Sequence, residues 1–185
     1  MKPRSPLSVA AWRERDTGAS HVCSLRSEED GFELAGGGTA GLGGGPVEVR
    51  FTVRADGSWA TRATSVRVGR QSIELRADGL GGWSVDGTER ADLHGCTDVD
   101  LEFTPATNTL PIRRLGLEPG QSAEIEAAWV RVSSLEVERS TQRYERIGER
   151  RFRYSSGDFA AELDVDGHGL VLDYPPFWMR EPSPQ

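Results

Sequence analysis

The densest run of chemically capable side chains lies between residues 98 and 114. Asp98, Asp100 and Glu102 alternate with Val99, Leu101 and Phe103, so on a strand the three carboxylates share one face. Such a row can bind a hard cation or supply an acid/base pair. It is also the ordinary appearance of the solvated side of an antiparallel strand. Thr104, Thr107 and Asn108 follow with neutral hydrogen-bonding groups, and Arg113 and Arg114 follow with guanidinium forks that pair bidentately with carboxylate or phosphate. Two accounts stand side by side. Either an arginine pairs with Asp98 or Asp100 and anchors the strand, or the cluster faces the headgroup of a ligand. Trp59 offers an indole that can stack on a sugar or line a lipid cavity. Thr61 shares its strand face and Arg62 lies on the other, so ring and guanidinium are not expected to act on each other directly. Trp59, Arg62, Asp98, Asp100, Asn108, Arg113 and Arg114 are the candidate ligand-binding residues.

Other motifs carry less. Gly36, Gly38 and Gly41 spell G-x-G-x-x-G, but dinucleotide binding needs a helix immediately afterwards. Pro46 and a β-alternating run follow instead, so the segment reads as a flexible loop. His21-x-Cys23 and His94-x-Cys96 would each place two ligands on one strand face. A zinc site would need the two pairs to meet, and their spacing is not a usual one. They read as small buried cysteines beside histidines, and neither a metal nor another cofactor is expected. Trp12, Trp83, Trp129, Trp178, Tyr144 and Tyr154 suit a core as well as a binding surface. No G-x-S-x-G elbow is present.

The elements that must position these residues are strands. Val47, Val49, Phe51 and Val53 alternate with polar neighbours and end at Asp56-Gly57, which suits a tight turn. Trp59–Val68, Gln71–Ala77 and Trp83–Val85 continue the pattern, punctuated by Asp78-Gly79 and Asp86-Gly87, as in an antiparallel meander. The second half repeats it at 98–103, 122–129, 152–154, 159–165 and 170–174, with Asp166-Gly167 between the last two. Segment 133–146 reads as strand or short helix, with strand favoured at its end. Leu110–Leu117 holds room for a helical turn limited by Pro111 and Gly116. The expectation is an all-β, single-domain antiparallel spiral β-roll or half-open barrel with short Asp-Gly turns. Its body runs over 9–179 with a Gly-rich loop at 36–45, a flexible N-terminus at 1–8 and a flexible tail at 180–185.

Composition excludes several classes. The chain of 185 residues is enough for one well-buried core. The formal net charge of −7 repels polyanions at long range, so no nucleic-acid partner is expected. No stretch approaches the roughly 20 apolar residues of a membrane helix, and no apolar run follows Lys2 and Arg4 as in a secretory signal. A cytoplasmic location follows as the expectation, with Cys23 and Cys96 as free thiols. Oligomeric state is not legible in the sequence.

Three stretches also carry a family resemblance. They are Val53–Arg62, Asp78–Gly87 and, most specifically, Gly95–Leu115. Gln142-Arg143-Tyr144, Phe159–Leu163 and Gly169–Pro175 fit as well. Together they resemble a bacterial family described as "putative glycolipid-binding", formerly a domain of unknown function, over about Trp12 to Trp178. The resemblance implies a spiral antiparallel β-roll and a glycolipid or another amphipathic small molecule as ligand, carried without catalysis. Two rivals remain open. One is a carbohydrate-active or other small-molecule enzyme using Asp98 or Asp100, since carboxylates at i and i+2 meet the about 5–10 Å separation of glycoside hydrolysis. The other is a structural or interaction β module that docks through a strand edge.

Overall fold

The computed structural model describes residues 5–42 and 44–182. Strands take 58% of the chain and helices 8%, which makes it an all-β fold. The first half is a meander of β1 (Ser8–Glu14), β2 (Ser20–Glu28), β3 (Gly31–Leu42), β4 (Gly45–Asp56), β5 (Thr61–Val68), β6 (Gln71–Ala77), β7 (Trp83–Val85) and β8 (Thr88–Glu89). A 3₁₀ turn (Ala91–Leu93) leads to β9 (Asp98–Leu101). A second (Pro105–Asn108) runs into the short helix α1 (Thr109–Leu115). The second meander is β10 (Ser122–Val130), β11 (Val137–Arg146), β12 (Arg151–Ser156), β13 (Phe159–Val165), β14 (Val171–Tyr174) and β15 (Trp178–Arg180).

All fifteen strands form one sheet, and β1 pairs with β15, so the two meanders join through the earliest and latest strands. Every pairing is antiparallel except β9 with β10. The outer edges are β8 and β9, which lie only nine residues apart in sequence, from Glu89 to Asp98. A flat sheet of this width would span about 67 Å at about 4.8 Å per strand. Nine residues reach about 30 Å at most. The sheet must therefore roll, and its edges approach without pairing. The β9 edge instead lies across β5, where the Thr61 N–H donates to the Thr97 carbonyl (3.1 Å) and the Val99 N–H to Thr61 Oγ1 (3.0 Å).

The roll is filled. Trp12, Leu25, Leu34, Leu75, Leu101 and Leu163 are fully buried. Indole N–H groups tie the interior to distant backbone, Trp12 to the Val171 carbonyl and Trp83 to the Cys96 carbonyl, both at 2.8 Å. Cys23 and Cys96 are buried free thiols, and burial raises them to about 12 and about 11. The turn 105–108 is wholly buried and α1 buries Thr109–Ile112. This plug is fastened to the edge strand by Arg114, whose Nη2 and Nε donate to the Asp98 carboxylate at 2.6 and 3.2 Å. Asp98 is 1% exposed.

Three Asp-Gly signals prove to be copies of one five-residue loop. Asp56, Asp78 and Asp166 each accept from the backbone N–H two and four residues ahead through Oδ1. In each, the Asp N–H donates to the carbonyl four residues on. The fourth residue of each loop has positive φ: Gly81 (102°), Gly169 (87°) and Trp59 (69°). A bulky side chain rarely adopts that geometry. Trp59 is held there by stacking on Phe32, with centroids 3.8 Å apart. The Arg113 guanidinium lies 5.2 Å over its ring. Asp86-Gly87 alone is a tight two-residue turn, between Val85 and Thr88.

Residues 36–42, read from composition as part of a flexible loop, belong to β3. Glycine is weak in strands, but here the neighbouring backbones leave no alternative. A Cβ on Gly38 would fall 1.8 Å from the Ser20 carbonyl oxygen, and one on Gly36 2.3 Å from that of Val22. Gly43, within the predicted loop, lies outside the described residues, as do 1–4 and 183–185 of the predicted flexible termini. The ordered chain extends further than the predicted ends. Leu7 bonds Leu25, Arg180 bonds Asp166 and the Val9 carbonyl, and the Glu181 N–H donates to Ala11.

One imidazole sits in this core. His21 is 1% exposed, edge-on to Trp178 and 2.7 Å from the Thr39 carbonyl through Nε2. A carbonyl only accepts, so Nε2 carries the proton and Nδ1, which has no partner, is a bare buried acceptor. Burial lowers its pKa to about 4 against the opposing bond to Thr39.

Three outcomes follow from this packing. Gly38→Ala destabilises the fold by at least about 1–3 kcal/mol, whereas Gly44→Ala, with open space around its Cβ, changes the unfolding free energy measured in urea by less than about 0.5 kcal/mol; equal effects would contradict the close approach. Arg114→Ala strands a buried carboxylate and costs about 3–5 kcal/mol, while Arg113→Ala on the exposed side costs about 1 kcal/mol or less, as chemical denaturation of both variants measures. For His21 the unfolded chain binds the extra proton between its ordinary value near 6.5 and about 4. Stability is therefore present above pH 6.5 and is lost as pH falls to about 4, on the order of 3 kcal/mol. His21→Gln lacks that share of the acid-side decline; parallel pH profiles of the two proteins would show that His21 is not buried neutral.

Candidate functional site

The strands place their loops at two ends, and the ends differ in character. The loops at 56–60, 78–82 and 166–170 cluster where β4, β6 and β13 finish. The opposite end gathers the finish of β1, β3 and β9, the hairpin between β12 and β13, and the link from β14 to β15. A cleft of about 540 Å³ opens there.

One wall is aromatic. Tyr154 on β12, Phe159 opening β13, Tyr174 closing β14 and Phe177 in the following turn form a contiguous cluster with centroids 5.4–6.4 Å apart. Trp178 continues it towards His21. Tyr154 and Tyr174 are buried, while Phe159 and Phe177 lie nearer the surface. Phe177 is 38% exposed. The polar lining comes from β9 and the buried turn behind it, Asp100, Glu102, Thr104 and Asn108, with Leu101 and Phe103 between them. Trp129, Ser133, Ser140, Ser156 and Glu14 complete the rim.

The polar groups are held from behind. Asp100 accepts from Gln142 Nε2 (2.7 Å) and from Thr107 Oγ1 (3.3 Å). Asn108 donates to the Pro105 carbonyl (3.2 Å) and accepts from the Tyr144 hydroxyl (2.9 Å). Burial lifts the Asp100 carboxyl to about 6 against the lowering bonds from Gln142 and Thr107. Tyr154 and Tyr174 are raised well above the ordinary phenol range. Burial is the main cause for both, and the Asp100 charge adds to it. Glu102 takes the Val132 N–H (2.8 Å) and pairs with Arg131 (3.3 Å), which lies over the Trp129 ring (4.3 Å).

Among the seven residues named from sequence, the structure brings two to this cleft, Asp100 and Asn108. Asp98 and Arg114 are joined in the buried pair behind it. Trp59, Arg62 and Arg113 stand at the other end, the length of β4 away. There Arg113 covers Trp59, and Arg62 pairs with Asp56 (2.6 Å). The indole thus meets a guanidinium, but Arg113 instead of its near neighbour Arg62. Tyr154, Trp129 and Trp178 carried a double reading in the sequence. Phe159, Tyr174 and Phe177 gave no signal beyond being aromatic residues beside turns. Among the described residues no group of three or more His, Cys, Asp or Glu is arranged to hold a metal ion, and the two His-x-Cys pairs do not converge into one. Among the same residues no helix is long and apolar enough to cross a membrane.

A solved protein of the DUF1089 family from Pseudomonas aeruginosa is similar in sequence and fold, with 34% identity and a TM-score of 0.76. The match covers 98% of this chain and 96% of that one. No curated protein matches the chain. The profile of one family matches residues 9–180, nearly the whole sheet from β1 to β15. The chain belongs to that family, whose description reads "putative glycolipid-binding".

Proposed function

We propose that the chain is a non-catalytic binding protein for a glycolipid or a similar amphipathic small molecule, held in the cleft between β9 and the β12–β15 aromatics. The observation that carries this reading is that one cleft is lined both by a cluster of rings and by Asp100, Asn108 and Thr104. An amphipathic ligand needs both at once, apolar surface for its chain or sugar face and a few fixed polar groups for orientation. The volume falls within the usual range for small-molecule sites, about 300–1,000 Å³. The family description and the likeness to the Pseudomonas protein support it at the level of the family.

The enzymatic alternative draws on carboxylates that are largely engaged. Asp98, the intended partner of Asp100, is closed on Arg114, and Glu102 holds a backbone N–H and Arg131. That arrangement favours a holding site over a paired-carboxylate hydrolase. A strand-edge module is disfavoured because β9 lies across β5 and β8 is two residues long.

Titration with octyl glucoside, followed by the fluorescence of Trp129 and Trp178 at the cleft, tests the reading. The expected outcome is saturable binding that Phe177→Ala weakens about 5- to 30-fold, for roughly 1–2 kcal/mol of lost apolar and aromatic contact. Arg113→Ala, at the far end, leaves it unchanged. The reverse pattern, with Arg113 mattering and Phe177 not, would move the site to the Trp59 end and sink the proposal.

A further inference from the structure

We infer that the cleft selects a ligand whose polar end carries a positively charged nitrogen, an amine-bearing headgroup, and turns away headgroups bearing phosphate, sulfate or carboxylate. This rests on the reading of the cleft as the binding site and adds the charge of what enters it.

Among the described residues, those lining the cleft include three carboxylates, Glu14, Asp100 and Glu102, and no lysine, arginine or histidine. The guanidinium groups of residues next to the lining are engaged, Arg15 on Asp173 among them. Arg114 is closed on Asp98, and Arg131 is held between Glu102 and the Trp129 ring. Glu102 is thereby paired, and Glu14 accepts the Thr17 hydroxyl. Asp100 differs. Among the described residues its side-chain hydrogen-bond partners are the neutral Gln142 and Thr107. Its rise to about 6 is what a carboxyl shows when burial is not offset by a cation. At neutral pH it is still ionised, so the cleft holds a negative charge without a counter-charge.

The aromatic wall points the same way. Ring faces carry negative potential and attract ammonium groups, the more so when water is excluded. Tyr154 and Tyr174 stay neutral phenols and line the same cleft as Asp100. A neutral sugar can offer hydroxyls to Asp100, but it leaves the charge uncompensated as the cleft dries. An anionic headgroup meets like charge at Asp100 and Glu102 and finds no fork to grip it. An ammonium group answers both the carboxylate and the rings. It can belong to an amino sugar on a lipid or to a simple alkyl amine, since both present the same charged nitrogen beside an apolar chain.

The test uses one chain length and four headgroups: octylamine, an octyl glucosaminide, octyl glucoside and octyl phosphate, each below its micellar concentration, titrated by tryptophan fluorescence and calorimetry. The wild-type protein is expected to bind the two amines at least tenfold tighter than octyl phosphate, with octyl glucoside between. The better of the two amines identifies the source as amino sugar or plain amine. Asp100→Asn collapses most of the amine-to-phosphate ratio. Asp30→Asn, which removes one exposed charge in the β2–β3 turn, leaves it, so attraction to the chain's overall −7 is separated from the cleft. Ser133→Lys, an exposed rim position, narrows the ratio without touching the interior and serves if Asp100→Asn does not fold. Octyl phosphate binding as tightly as the amines, or a ratio unmoved by both cleft variants, overturns the inference while the cleft stands as a site. Binding of no compound, or binding indifferent to Phe177→Ala, overturns the underlying reading instead.

Discussion

The short tether between β8 and β9 governs the architecture. Among the described residues fifteen strands are joined edge to edge, yet eight residues, 90–97, separate the two outer strands. Curvature follows from that length alone, and so does the position of everything inside. The segment that leaves β9 has to re-enter the second meander at β10 parallel to it, and a parallel neighbour requires a crossover. The crossover passes through the interior of the roll as the turn 105–108 and α1, bringing Thr104, Asn108 and Arg114 with it. The buried Asp98–Arg114 pair is the clasp of this arrangement. It fixes the plug to the edge strand and so sets where Asp100, two residues along the same strand, presents its carboxylate.

Much of the meander was legible because its strands alternate. Gln71–Ala77 and Phe159–Val165 were bounded correctly from pattern and turn residues alone. β1 and β2 were not seen, and the reason is physical. The outward face of β1 carries Val9 and Ala11, and β2 has Val22 outward and His21 inward, so neither strand shows a clean apolar-polar alternation. Val9 and Val22 are 45% and 52% exposed. β3 was hidden by its glycines, whose presence reports close backbone approach instead of a loop. The Asp-Gly dipeptides marked turns correctly but not their length. The second bond from each aspartate, four residues ahead, has no signature in the dipeptide itself.

The site was half legible. The alternation at 98–103 suggested a solvated acidic face, because antiparallel strands usually have one. β9 is instead covered on both sides, with Val99 and Leu101 packed in the core and Asp98 and Asp100 beneath Arg114 and Gln142. An edge strand that is parallel to its only neighbour and crossed by another escapes the usual rule. Asp100 and Asn108, which line the cleft, were therefore named from a pattern that does not describe their surroundings. The aromatic wall escaped because its rings fall singly on consecutive short strands and turns between 154 and 178, with no alternation that links them. Trp59 stood out by residue type, yet its place belongs to a loop whose two sister loops use glycine.

The pairing of β1 with β15 has a consequence for the order in which the molecule comes into being. Glu14 waits for Trp178, 164 residues later, to gain its partner across the sheet. Contacts so distant in sequence carry a large loop-closure cost and form late. The cleft draws Glu14 from the first strand, Ala40 from the third, and Phe177 and Trp178 from the last turn and strand. On the ribosome, most of the roll can assemble as two meanders while the cleft does not yet exist. The cleft is completed in one late step, so a shortened or stalled chain carries sheet without cleft.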